Sequence, residues 1–221
     1  MSFTYVIPDI HGRMDLLDEA LDLVEQRDGG TVIFLGDYID RGLASAKVVA
    51  RVMAGPTSPN FTWVPIRGNH EDMLLQALEE PRDLQIWQWW HGNGGDTTMV
   101  SYAGVVPADH ISWMNALPRL VQDTHRVYVH AGVDESYAFE DQPQQVTQWF
   151  RYPSKANVGY RDQHVVHGHT PQTDGPELYA NRTNLDCGAF FTGKLVVGVF
   201  DDDIAGGPIE LITVGATDVD M

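Results

Sequence analysis

Five short apolar runs punctuate this chain, and each stops at a glycine-bearing polar turn that carries Asp, His or Asn. Tyr5-Val6-Ile7-Pro8 precedes Asp9-Ile10-His11-Gly12, and Thr31-Val32-Ile33-Phe34-Leu35 precedes Gly36-Asp37-Tyr38-Ile39-Asp40-Arg41-Gly42. Trp63-Val64-Pro65-Ile66 precedes Arg67-Gly68-Asn69-His70-Glu71. Val127-Tyr128-Val129 precedes His130-Ala131-Gly132, and Val165-Val166 precedes His167-Gly168-His169-Thr170. Such runs have the composition of buried strands, and open α/β sheets bind ligands beyond the carboxyl ends of their strands. The five strand ends therefore bring Asp, His and Asn side chains to one rim, a binuclear metal site written in linear form.

The intervening segments supply helices. Met14, Leu16, Leu17, Ala20, Leu21, Leu23 and Val24 have helical spacing, Ser45 to Met53 reads as a second helix, and Glu71 to Leu78 as a third that starts directly after Asn69-His70. Asp109 to Leu117 is a short amphipathic helix stopped by Pro118, and Gln144 to Phe150 is a helix or turn. Beyond Thr170, the segments Leu178 to Ala180, Thr183 to Asp186, Lys194 to Phe200 and Ile209 to Val214 have β character, and the expectation is mostly antiparallel pairing. Ile86 to Gly95, with Trp87, Trp89 and Trp90 followed by a glycine cluster, reads as an aromatic lid over the core and a candidate specificity loop.

With 221 residues and no Pro/Ser/Gly-rich linker, the expectation is one domain over residues 1–221. A net charge of −17 opposes nucleic-acid phosphates and anionic lipid surfaces, and no Lys/Arg cluster offsets it. No apolar stretch approaches the roughly 20 residues that span a bilayer. The single Cys187 cannot pair within the chain, and the N-terminus shows no basic-then-apolar leader. A cytoplasmic protein is expected, without nucleic-acid or membrane partners.

Asp, His and Asn together offer hard oxygen and borderline nitrogen donors, a set suited to Mn, Fe or Zn and less to an all-oxygen Ca or Mg cage. Asp9 and His11 can hold one ion, Asn69, His130 and His169 a second, with Asp37 bridging. Two such ions about 3.5–4 Å apart acidify a water and stabilise in-line displacement at phosphorus. One Asp-x-His pair alone is more often an exposed turn; the ordered set of five is what points to metal. His91, His110, His125 and His164 read as solvated or structural, His167 as either a neighbour of the site or a turn residue, Glu71 as a brace for its loop, and Cys187 as a small buried residue.

The order Gly36-Asp37-x-x-Asp40-Arg41-Gly42, Gly68-Asn69-His70-Glu71 and the later histidine turns resembles the calcineurin-like metallophosphoesterases, and within them the bacterial and phage branch of the PPP-type Ser/Thr phosphatases. The resemblance runs on through Leu185-Asp186-Cys187-Gly188. It implies an α/β (α+β) four-layer sandwich, two mixed β-sheets flanked by helices. It implies Asp9, His11 and Asp37 at the first metal and Asp37, Asn69, His130 and His169 at the second, with Mn2+ the leading ion and Fe, Zn or Mg as alternatives. His70 would protonate the leaving group, oriented by Asp40. Arg41 would bind phosphate, and Arg151 would be the second clamp, although Phe150 departs from the Trp-aliphatic-Arg pattern.

The expected activity is phosphomonoester hydrolysis by a metal-bridging hydroxide on a phosphoprotein, phosphopeptide or small phosphate ester, as in Ser/Thr or dual-specificity protein phosphatases. Dinucleoside polyphosphate hydrolysis, on diadenosine tetraphosphate, is the alternative. The second Asp of the Gly-Asp-x-x-Asp-Arg-Gly motif, Asp40, and Glu71 after Asn69-His70 favour the phosphatase branch. A binding scaffold that has lost catalysis would lack ligands or the acid, and every matched position is filled.

Overall fold

A computed structural model describes residues 2–215. The chain opens with β1 (Phe3–Ile7), α1 (Met14–Glu25), β2 (Gly30–Phe34), α2 (Ser45–Ala54) and β3 (Phe61–Pro65), two successive strand–helix–strand units. β1, β2 and β3 run parallel, and the sheet is completed by β9 (Lys194–Asp201) and β10 (Glu210–Gly215) in the order β10-β9-β1-β2-β3, with β9 antiparallel to both its neighbours. A second sheet has the order β4-β5-β6-β8-β7, built from β4 (Leu120–Gln122), β5 (Arg126–Val129), β6 (His164–His167), β7 (Glu177–Leu178) and β8 (Arg182–Asn184).

Both sheets are mixed. β8 runs parallel to β6, where antiparallel pairing was expected from the sequence. The parallel direction points the end of β8 at the rim where β6 ends, and so delivers Asp186 beside the histidine turns. The antiparallel expectation does hold for β7 against β8 and for β9 and β10.

Strand period explains the stacking of the two sheets. Tyr5 and Ile7 of β1, with Val32 and Phe34 of β2, face α1 and α2 and pack with Leu17, Leu21, Val48 and Val52. The alternating Val6 and Ile33 point the other way, onto Tyr128, Val166 and Phe200 between the sheets. A strand buried on both faces reads as a continuous apolar run, which is why these strands stand out in the sequence. Each fully buried aliphatic side chain contributes about 1.5–3 kcal/mol. The outer face of the second sheet is covered by Val133 and Tyr160 from a loop-rich stretch that includes a 3-10 turn at Phe139–Asp141 and the short α7 (Gln144–Trp149).

The helices on the other side are α3 (Asn69–Glu79), α4 (Leu84–Trp90), α5 (Asp96–Ser101) and α6 (Ala108–Ala116). A one-turn α8 (Ala189–Thr192) precedes β9. The tryptophan-glycine segment read as a loop is therefore helical, α4 and α5 joined by a π-type turn at His91–Gly95. The Asp83 carboxylate caps α4, accepting the Gln85 and Ile86 N–H groups at 2.9 and 3.3 Å. Gly95 closes on the Trp90 indole so tightly that a Cβ there would lie 2.4 Å from a ring carbon. The glycine thus serves a close approach instead of mobility. Among the described residues, no helix is long and apolar enough to cross a membrane.

Candidate active site

The five turns meet at the carboxyl ends of β1, β2, β3, β5 and β6. They are held in uncommon backbone conformations: of the eight non-glycine residues with positive φ among those described, five are His11, Asp37, Asp40, Arg41 and His169. The Asp37 turn is fixed from below by Glu71, whose buried carboxylate accepts the N–H groups of Asp37 at 2.9 Å, Tyr38 at 2.8 Å and Gly68 at 2.9 Å. Glu71 is the third residue of α3, so its bond to Gly68 also closes the helix start. The His70 N–H, in the same first turn, donates to Asp37 Oδ1 at 3.1 Å. Gly168 lets its turn lie against Asp9, since a Cβ at that position would sit 2.1 Å from Asp9 Oδ1.

Asp37 Oδ2 is central. It lies 3.4 Å from His11 Nε2, 3.5 Å from His130 Nε2 and 3.8 Å from His70 Nε2. Two triads share it, Asp37-His11-His70 and Asp37-His130-His169. His11 Nδ1 donates to Ile39 O at 2.8 Å and His130 Nδ1 to Leu35 O at 2.9 Å, so both Nε2 atoms face the centre as unprotonated acceptors. Around His130 Nε2, Asn69 Oδ1 lies at 2.8 Å and His169 Nδ1 at 3.2 Å, with 3.1 Å between those two. The Asn69 oxygen and the His130 nitrogen are both acceptors, and a pair so close fits a cation. Asp9 stands outside the two triads; its carboxylate takes the His169 N–H at 3.0 and 3.2 Å.

Burial acts on both signs of charge. It pushes the Asp9 carboxyl, helped by Asp186, and the Asp37 carboxyl, helped by Asp9 and Glu71, well above the usual range. It holds the His11 and His70 imidazoles well below theirs, His130 at about 3 and His169 at about 2. A pair of cations relieves the first group and uses the neutral form of the second, so the donor set fits two divalent ions.

His70 turns its other nitrogen to Asp40: Nδ1 lies 2.7 Å from Oδ2. That carboxylate, fully buried, is pushed by burial up to about 7, against donors that favour its charged form. Thr98 Oγ1 donates to Oδ1 at 2.6 Å and Trp90 Nε1 to Oδ2 at 2.9 Å. Neither Trp90 nor Thr98 was assigned to the site from the sequence. Their signal was the tryptophan-glycine segment and its polar follow-on, Asp96-Thr97-Thr98, in which Thr98 lies 58 residues from Asp40.

Arg41 reaches His11 Nε2 with its NH1 at 2.7 Å and lies over the Phe190 ring, 4.9 Å from its centroid. Arg151 is exposed just past α7, and its charge is felt at His169 and Asp186. Asp186, also unassigned from the sequence, is buried beside Asp9, with its carboxyl pushed by burial up to about 6 and its Oδ1 taking the Gly188 N–H at 2.8 Å. His167 is buried between Gly168 O at 2.9 Å and Arg182 NH1 at 2.7 Å.

The calcineurin-like phosphoesterase family model matches residues 4–198. The asymmetrical bis(5'-nucleosyl)-tetraphosphatase PrpE of Anoxybacillus flavithermus is 28% identical over 226 aligned positions, covering 86% of this chain and 87% of the relative. A crystal structure reported as a candidate diadenosine tetraphosphatase superposes with TM-score 0.69 at 18% identity, over 98% of this chain and 95% of the other. The cold-active protein-tyrosine phosphatase of a Shewanella species follows with TM-score 0.63 at 17% identity, over 89% and 75%. The relatives thus weigh toward the nucleotide-cleaving alternative more than toward the protein-phosphatase branch favoured by the motifs. Two mixed sheets, two candidate metal-holding triads sharing Asp37 and a family match across most of the sequence agree: this chain belongs to the calcineurin-like phosphoesterases and is a metal-dependent hydrolase.

Proposed function

We propose that the chain hydrolyses bis(5'-nucleosyl) tetraphosphates asymmetrically, converting diadenosine tetraphosphate and one water into ATP and AMP. The observation that carries this substrate class is the match to a tetraphosphatase along 86% of this chain and 87% of the relative. Asp9, His11 and Asp37 would hold one divalent ion and Asp37, Asn69, His130 and His169 the other; the mixed N/O donors suit Mn2+, Fe2+ or Zn2+. When bound, the two ions neutralise phosphate charge and acidify a water.

The chain's own residues do the rest. Glu71 and the His70 N–H keep the Asp37 carboxylate turned to the centre. Arg41 and Arg151 present guanidinium forks to phosphate oxygens. Asp40 holds the His70 ring in place and stabilises it when it carries a proton, so that its Nε2 can give that proton to the leaving oxygen. The single cysteine accords with a cytoplasmic setting.

One observation favours a second reading, phosphomonoester hydrolysis on phosphoserine, phosphothreonine or phosphotyrosine. The His70–Asp40 pair, joined at 2.7 Å, would serve as a general acid, which an alkoxide leaving group needs. A polyphosphate leaving group, with a pKa of about 6, needs it far less. The test is relative kcat/KM of the Mn2+-loaded protein on diadenosine tetraphosphate, phosphoserine peptide and p-nitrophenyl phosphate, with product analysis. Preference for the dinucleotide with ATP and AMP as products is expected. Preference for the peptide, or two ADP as the products, overturns the proposal.

A further inference from the structure

A groove of about 390 Å³ opens beside the metal cage, between α3, the end of α6, the start of β4 and α7. Its end nearest the cage is Trp149, whose ring lies edge-on to His169 at 6.1 Å between centroids. Trp89, from α4, stacks on Trp149 at 5.5 Å and 29°, and remains 43% exposed. An indole pair with one member open to solvent can be extended by a third flat ring.

The wall is polar and electrically balanced. Arg67, Arg119, Asp72 and Glu79 all line the groove, and Arg67 NH1 pairs with Asp72 at 3.3 Å. Gln144 bridges the set, donating to Asp72 Oδ2 at 2.9 Å and accepting from Arg119 NH2 at 3.1 Å. Cancelled charge argues against a second phosphate, whereas amide and guanidinium groups beside an aromatic platform suit an uncharged heterocycle with polar edges.

We infer that this groove is a nucleoside subsite: a base extends the Trp149–Trp89 stack and is met by the Arg67–Arg119 wall while the polyphosphate reaches the cage. The inference rests on the dinucleotide-hydrolase reading and assigns Trp89, a residue of the tryptophan segment, to substrate selection.

The test is the ratio of kcat/KM for diadenosine tetraphosphate to that for p-nitrophenyl phosphate, which carries no nucleoside, in Trp89→Ala and Trp89→Phe. Stacking on one base predicts a fall in the ratio of roughly tenfold or more in Trp89→Ala, carried by KM, and substantial retention in Trp89→Phe. Adenosine alone should quench tryptophan fluorescence saturably in the parent and not in Trp89→Ala. An unchanged or raised ratio in Trp89→Ala together with persistent quenching overturns the subsite and leaves the hydrolase reading intact. A parent that does not cleave diadenosine tetraphosphate defeats the hydrolase reading; the adenosine titration then decides the groove by itself, Trp89-dependent quenching supporting it and absence of quenching overturning it.

Discussion

The indole Nε1 of Trp90 donates to Asp40 Oδ2 at 2.9 Å, the same oxygen that meets His70 Nδ1 at 2.7 Å. An indole N–H can only donate, so Oδ2 is held as an acceptor and its proton demand falls on the imidazole. Trp90→Phe should therefore lower kcat for an alkyl phosphate by roughly 10–10²-fold, the worth of one hydrogen bond to a charged group, with metal content unchanged. The loss should be smaller for p-nitrophenyl phosphate, whose leaving group needs no proton. Thr98→Val, which removes the 2.6 Å bond to Oδ1 with little change in volume, should show the same leaving-group dependence. Equal losses on both substrates would mean that these residues only maintain packing.

Arg41 and Arg151 are expected to differ in adjustability. Arg41 has its backbone N–H tied to Gly94 O at 3.1 Å and its guanidinium over Phe190, whereas Arg151 is exposed. Alanine at either position should reduce kcat/KM by roughly 10–10²-fold. Lysine should rescue only in part, because a point charge lacks the fork. Inhibition by inorganic phosphate is the check: unchanged inhibition and turnover in Arg151→Ala would remove it from the phosphate clamp.

The strands and ligand turns were legible because burial on both faces writes β1, β2, β5 and β6 as unbroken apolar runs, and each run ends in a turn. α1 and α2 were legible from their single apolar stripe. The segment of α4 and α5 was not, because Gly92, Gly94 and Gly95 have poor helix propensity and its helical state depends on tertiary anchors: the Asp83 cap, Trp90 under Asp40, and Thr98 on Asp40. Asp186 was passed over as a neighbour of the site since the strand that precedes it, β8, has only three residues and the parallel pairing that brings it to the rim is with β6, where antiparallel pairing was expected.

Metal removal should leave a pH signature. In the metal-free fold, burial lifts the Asp40 and Glu71 carboxyls to about 7, above unfolded values of about 3.9 and 4.3. Here the fold binds the protons more tightly than the unfolded chain, so stability is lost as pH rises from the unfolded values through about 7. His130, His167 and His169, lowered to about 3, 3 and 2, act in the opposite sense, and their gain is complete only about one pH unit above the unfolded value of about 6.5. Between about pH 7.5 and 8.5 the imidazoles no longer titrate and the carboxyls do, so the metal-free Tm should fall. Added Mn2+ should raise Tm more at pH 8 than at pH 6.5, because protons compete for the ligands. Calorimetry with and without Mn2+ checks both; a metal-free Tm that rises across that interval would contradict the sign.

The most direct test is metal stoichiometry and turnover measured together in the parent and in Asp37→Asn, after chelation and reloading with Mn2+. Asp37 Oδ2 lies within 3.8 Å of three imidazole nitrogens, so one carboxylate oxygen serves both triads. The parent should bind two ions and recover diadenosine tetraphosphate cleavage that chelation abolishes, while Asp37→Asn should lose an ion and nearly all turnover. Two ions retained in Asp37→Asn with parental turnover, or full activity in the stripped parent, would contradict a binuclear hydrolase centred on Asp37.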